Sequence, residues 1–266
     1  MTCHMLSWTD SHNHLQDPRL GDAGPVIAAM KAAGVGRCVV NATCEADWQA
    51  VEKLALVHPD FILPAYGIHP WKAQTATEGW IERLAGLLDK HPHATLGECG
   101  LDKWISFPSI DVQAPVFAQQ LTLSRKTGRP LTIHCLKAWG ALLESLSAQP
   151  PPRFLMHSFG GSLETARQLH PMGAWFSISG HFLHPRKAGV IEVFRQLPRD
   201  RILLETDAPD MLPPSEIIRH PLPENINHPA NLPAVGQALA TALGMPADEL
   251  AGLTRANAAA FFARSV

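Results

Sequence analysis

The chain has 266 residues, 46% of them hydrophobic and 17% charged, with a formal net charge of −2. That balance excludes a disordered chain, and the lack of a basic excess excludes a general nucleic-acid coat or a polybasic membrane binder. No apolar run reaches the roughly 18–20 residues of a membrane span, and residues 1–10 show neither a cationic nor an apolar signal region, so a cytoplasmic protein without membrane contact is expected.

Short apolar runs at 6–10, 37–42, 61–66, 94–97, 130–133, 153–156, 174–178 and 201–205 read as strands. Amphipathic segments at 25–33, 48–57, 79–90, 114–127, 140–147, 163–169 and 188–196 read as helices between them. Gly34, Gly128 and Gly173 stand near helix ends, where a left-handed cap is useful. His58-Pro59, His91-Pro92 and His170-Pro171 stop helices, because proline disfavours helical geometry in the residue before it. A proline-rich loop at 207–229 leads to two further helices, 230–243 and 247–263. Strict alternation of strand and helix predicts a parallel sheet. Eight such units favour closure into a (βα)8 TIM-type barrel over a doubly wound sheet, with extra C-terminal helices. One domain spanning 1–266 is expected.

The 14 histidines are the unusual feature of the composition. The first strand runs into Asp10-Ser11-His12-Asn13-His14, and residues two apart in a strand share a face, so His12 and His14 point the same way. Alone, a His-x-His pair reads equally well as two unrelated loop histidines. Other strand ends add His69, Glu98 with Asp102, His134, His157, and Glu205 with Asp207. In a barrel these ends open onto one face. Glu98 and Asp207 follow strongly apolar runs with few Lys or Arg nearby, so burial calls for a compensating cation. A metal site at the barrel mouth follows.

The ordered set Asp10-Ser-His12-Asn-His14, Gly67-Ile-His69-Pro70, Gly97-Glu98-Cys-Gly-Leu-Asp102, Ile133-His134, His157-Ser-Phe-Gly-Gly161 and Leu204-Glu205-Thr-Asp207-Ala-Pro209 resembles the TatD family of metal-dependent hydrolases, among the amidohydrolase-like barrels. Gln113-x-x-x-Phe117-x-x-Gln120 and Asn227-His-Pro229-Ala-Asn-Leu232 match too, and the resemblance spans about residues 8–262. It implies a divalent-metal-dependent deoxyribonuclease with a two-metal centre. His12, His14 and Asp207 would hold one metal, His134 and His157 the other, and Glu98 would bridge them. Asp207 would also take the attacking water's proton, His69 would touch substrate phosphate from the rim, and Glu205 would orient ligands. Asp102 would do the same or cap the loop after it. The chain departs from the family pattern at three places. Where many members carry His-x-Arg, it has His134-Cys135-Leu136 with Lys137 next. Arg-Asn-Glu-Pro is replaced by Ile226-Asn227-His228-Pro229, and aromatic-aromatic-Arg by Lys103-Trp104-Ile105. Lys103 and Lys137 are left to grip phosphate as point charges, without an arginine's fork.

The implied mixed nitrogen–oxygen ligand set suits Zn, Mn, Fe, Co or Ni better than Mg, although an exchangeable Mg is compatible with it. The expected substrate is the end of a DNA strand or a small phosphodiester, acted on by a monomer. The alternatives are hydrolysis of amide, lactone or aminoacyl-ester bonds, which the missing arginines favour, and a non-catalytic metal-binding barrel. The five cysteines, Cys3, Cys38, Cys44, Cys99 and Cys135, form no CxxC pair and are expected reduced. Cys99 and Cys135 read as small packing residues and Ser162 as a helix N-cap, while Trp71 and Trp104, in loops after strand ends, read as packing aromatics with base stacking as the alternative. His181 and His184 are given no ligand role, and His4 is expected at the surface.

Overall fold

In the computed structural model, which describes residues 6–263, each apolar run forms a strand. Cys3 and His4 lie outside the described residues. The strands are β1 (Trp8–Asn13), β2 (Val35–Asn41), β3 (Ile62–Tyr66), β4 (Thr95–Asp102), β5 (Leu131–Leu136), β6 (Phe154–Met156), β7 (Ala174–Ser179) and β8 (Ile202–Glu205). They pair in sequence order, every ladder parallel. The helices are α1 (Ala23–Ala33), α2 (Glu45–Val57), α3 (Trp80–Lys90), α4 (Ile110–Thr127), α5 (Trp139–Ala148), α6 (Leu163–Leu169), α7 (Ala188–Phe194), α8 (Leu232–Leu243) and α9 (Ala247–Phe262). β3 and β7 are buried at every position, as parallel strands covered on both faces must be. Gly128 caps α4 with φ 66°, and the Ser162 hydroxyl accepts the Thr165 N–H at the start of α6.

The ring closes between β8 and β1. Asp207 N–H donates to His12 O at 2.9 Å and His14 N–H to Ala208 O at 2.8 Å. The Asp10 carboxylate locks this joint, accepting from Thr206 N–H (2.9 Å), the Thr206 hydroxyl (2.6 Å) and the Asn13 amide (3.0 Å). Burial, opposed by those bonds, pushes the Asp10 carboxyl up to about 7. α9 packs Phe261 against Leu155, Trp175 and Leu203, with the Phe261 and Trp175 rings 5.6 Å apart. Among the described residues, no helix is long and apolar enough to cross a membrane.

Several boundaries differ from the sequence expectation, three of them beside the site or its supports. β1 runs on to Asn13, β4 continues through Glu98 to Asp102, and α4 begins at Ile110 rather than 114. Ser11-His12-Asn13 of β1 and the Glu98 and Asp102 carboxylates of β4 are polar yet buried, so hydropathy ends both strands early. Gly100, at φ 138°, permits the close approach of β4 to β5, since a Cβ there would lie 1.9 Å from His134 O. The β1–β2 register shifts between Asp10 and Asn13, and the β4–β5 register between Leu96 and Cys99. Both irregularities sit beside site residues, where bulges commonly re-aim a side chain.

Candidate metal centre

β1 and the residue after it bring His12 and His14 together, their Nε2 atoms 3.2 Å apart. Glu98 Oε2 lies 3.2 Å from His12 Nε2 and 3.3 Å from His14 Nε2. Asp207 Oδ1, supplied by the turn after β8, is 3.4 and 3.7 Å from the same two nitrogens. The other oxygen of Glu98 faces a second set. Oε1 is 2.8 Å from His157 Nε2, 3.1 Å from His69 Nε2 and 3.3 Å from His134 Nδ1. Ligand atoms bonded to one tetrahedral cation at 2.0–2.2 Å stand about 3.3–3.6 Å apart. The separations around Glu98 Oε2 are close to that value; around Oε1 only His134 reaches it, and His157 stands at hydrogen-bond distance.

Hydrogen bonds on the far side of each ring decide which nitrogen offers a lone pair. His14 Nδ1 donates to Asn41 O at 2.7 Å, which leaves Nε2 free to ligate. His134 Nε2 donates to Asp102 Oδ2 at 2.8 Å, which leaves Nδ1. His69 is different: its Nδ1 accepts the Trp71 N–H at 3.1 Å, so the proton sits on Nε2 and points at Glu98. The sequence reading puts His69 at the rim. It is instead 8% exposed, inside the cluster, as a neutral donor.

The electrostatics describe the same charge balance. Burial raises Glu98 and Asp207, but the surrounding imidazoles outweigh it and hold both carboxyls below their usual range. Burial lowers His14 and His157, yet hydrogen bonds and attraction from the carboxylates hold both well above the ordinary imidazole value. Burial wins at His12, which is lowered, and at His69, which falls to about 4. Without a cation, protons on the rings compensate the buried carboxylates. A divalent cation would displace those protons, so this donor set fits a metal. Three groups, His12-His14-Glu98, His69-Glu98-His134 and His12-His157-Glu205, each bring three ligand atoms within 4.8 Å of one another.

The model of the family described as TatD related DNase matches residues 9–263. The chain belongs to that family. Its relatives include the 3′-5′ ssDNA/RNA exonuclease TatD of Erwinia tasmaniensis, 31% identical over 249 residues that cover 91% of this chain and 93% of the relative. The uncharacterized metal-dependent hydrolase YabD of Bacillus subtilis is 31% identical over 264 residues, covering 95% and 98%. The crystal structure of YjjV, a TatD homolog from Escherichia coli K12, superposes with a TM-score of 0.86 at 27% identity, covering 97% of this chain and 98% of that one. This TatD-family chain is a metal-dependent hydrolase acting on ester bonds, built on a barrel of eight parallel strands.

Beside the TatD-type cluster, Asp102 bonds both to a site imidazole and to the loop after β4. Oδ2 takes His134 Nε2 and, at 2.7 Å, Trp71 Nε1, while Oδ1 accepts the Trp104 N–H at 2.6 Å. Gln113 fixes the Asp102 backbone with bonds of 2.7 and 2.9 Å. Gln120 does the same for Ile68, one residue before His69. Glu205 Oε1 accepts the Ser158 N–H at 2.6 Å and lies 3.7 Å from His157 Nδ1. Asp102→Asn keeps an acceptor for Trp104 but weakens the hold on His134. Metal affinity should fall about 10- to 100-fold, as for other residues that orient ligands. A chelator-competition titration checks this, and unchanged affinity would reduce Asp102 to a loop cap.

A cavity of about 440 Å³ opens onto the centre, lined by His134, His157 and Asp207 together with Trp104, Leu136 and Lys137. Lys103 is exposed beside it and does not line it. His181 and Lys187 also line the cavity, a role that no sequence motif assigns to either. Burial pushes the Cys99 thiol well up and that of Cys135 up to about 12, so neither is a nucleophile at neutral pH. Trp71 is held by its bond to Asp102. Trp104, expected to pack, is 63% exposed.

Proposed function

We propose that this TatD-family hydrolase is a phosphodiesterase that trims the ends of single-stranded DNA and works with two divalent cations. The observation that carries the reading is the division of Glu98, with Oε2 facing His12 and His14, the two imidazoles that Asp207 also faces, and Oε1 facing His69, His134 and His157. His12, His14 and Asp207 would hold one cation and His134 and His157 the other, with Glu98 shared. Bound there, the cations supply Lewis-acid polarisation of the phosphoryl oxygen and lower the pKa of water. Zn, Mn, Fe, Co or Ni suits this donor set better than Mg.

The chain's own residues do the rest. Asp207 stays ionised and lines the cavity, so its carboxylate takes the attacking water's proton. His69, neutral and protonated at Nε2, directs that proton at Glu98 Oε1, 3.1 Å away, and so steadies the shared carboxylate without adding charge. Asp102 holds His134 in place through a 2.8 Å hydrogen bond, and Glu205 faces His157 Nδ1 at 3.7 Å as a nearby negative charge. Lys137 supplies positive charge at the mouth, with Lys103 beside it. The relative named as a 3′-5′ ssDNA/RNA exonuclease supports this substrate class. The test is metal-reconstituted protein against single-stranded DNA, a simple phosphodiester, and a panel of esters and amides. Hydrolysis of both phosphodiesters is expected. Rapid cleavage of an ester or amide with no attack on DNA would replace this reading.

One observation favours that second reading: among the described residues, no arginine lines the cavity, and Leu136 stands at its mouth. Phosphate binding should therefore be weak and salt-sensitive. Leu136 is 39% exposed, so arginine fits without repacking. Leu136→Arg should lower KM for an oligonucleotide about tenfold and leave kcat unchanged, the mark of added uniform binding. Steady-state kinetics check it, and an unmoved KM would mean that position 136 does not face substrate.

A further inference from the structure

Trp104 is a large apolar side chain left in water at the entrance to a catalytic cavity. Its ring is 63% exposed, while its backbone N–H is fixed to Asp102 Oδ1 at 2.6 Å. The loop that carries it is tied to the last residue of β5, where the next loop starts, by Lys103 N–H donating to Leu136 O at 2.9 Å. That second loop places Lys137 Nζ 3.9 Å from the centroid of the Trp104 ring. Lys137 has φ 56°, a left-handed conformation that a lysine adopts at a cost, and it directs the side chain from the strand end onto the indole. Trp104 and Lys137 both line the cavity that His134, His157 and Asp207 also line. The same wall therefore offers an exposed aromatic surface, a cation and, deeper, the metal centre. Phe107, in the same loop as Trp104, is 67% exposed.

We propose that Trp104 is a base-stacking platform that positions the terminal nucleotides of a single strand, with Lys137 holding the adjoining phosphate. The inference rests on the phosphodiesterase reading and specifies how that site takes its substrate. A nucleobase has a flat π-face to lay against the indole, and stacking of this kind tolerates any base sequence. The backbone phosphate next to a stacked base meets the Lys137 ammonium, which is already desolvated on one side by the ring. An ester or amide substrate without a flat ring gains nothing from Trp104. This reading also accounts for the mouth being open: a strand end can enter from solvent and be fixed before its phosphate reaches the centre.

The experiment compares two single-stranded oligonucleotides of equal length, one intact and one with the last two residues at each end abasic. Initial rates are measured for wild type, Trp104→Ala and Trp104→Phe. For the intact strand, Trp104→Ala should raise KM about tenfold with kcat nearly unchanged, in line with the magnitude of base–aromatic stacking. Trp104→Phe should recover most of that loss. On the abasic strand the wild type should already show the raised KM, and neither variant should change it further. Fluorescence anisotropy of the same labelled strands on chelator-treated protein should repeat the pattern in Kd, independent of turnover. Equal effects of Trp104→Ala on intact and abasic strands, or no effect on either, would overturn the platform while leaving the phosphodiesterase standing. A wild type that hydrolyses neither strand overturns both.

Discussion

Glu98→Ala should lose metal and activity together, with hydrolysis falling at least about 1,000-fold. Each Glu98 oxygen faces a different imidazole set, so one deletion removes a shared anion from both. A metal's charge stabilisation is worth several kcal/mol, and about 4 kcal/mol corresponds to that factor. The carboxylate is also the buried charge against which His12, His14, His69 and His157 are arranged. Without it, the remaining nitrogens gather little affinity for a divalent ion. Metal analysis after gel filtration, run beside the assay, checks the result. Full occupancy in the variant would contradict the shared role.

Asp207→Asn should separate the two properties. The amide keeps an oxygen facing His12 and His14 but cannot accept a proton, so the rate should fall about 100- to 10,000-fold while much of the metal remains. The pH dependence follows from the same groups. The folded-state pKa of Asp207 is depressed, so its carboxylate stays ionised until the pH falls below the ordinary carboxylate range. The imidazoles must be neutral to ligate, and His14 and His157 hold protons above the usual imidazole value when no metal competes. The acid limb of the wild-type profile should therefore track metal loss, and excess metal should move it to lower pH. An acid limb unmoved by metal concentration would assign it elsewhere.

The fold was largely legible because strands buried on both faces are continuous apolar runs. The segments at 174–178 and 201–205 could hardly be anything else. The hydropathy signal failed where the site begins. Ser11, His12 and Asn13 are buried within β1, and Glu98 and Asp102 within β4, but their polarity reads as loop. Ligand residue types at strand ends pointed to a cation, and the family resemblance divided them between two sets. The resemblance named Glu205 and Asp102 as supports, but the long-range partners were not readable. Trp71 reaches Asp102 across 31 residues, and His14 reaches the Asn41 carbonyl across 27, through strand register rather than local pattern. The tautomer of His69, which makes it a donor, depends on one backbone N–H two residues on. The exposure of Trp104 depends on how two loops are laced, and residue type does not carry that information.

We propose that a shared Glu98 assembles a two-cation phosphodiesterase centre. It is tested most directly by adding Mn²⁺ or Zn²⁺ in known equivalents to chelator-stripped protein while following hydrolysis of single-stranded DNA. Activity should stay low through the first equivalent, rise with the second and level off at two. Full activity at one equivalent, or activity that ignores added metal, would contradict the account.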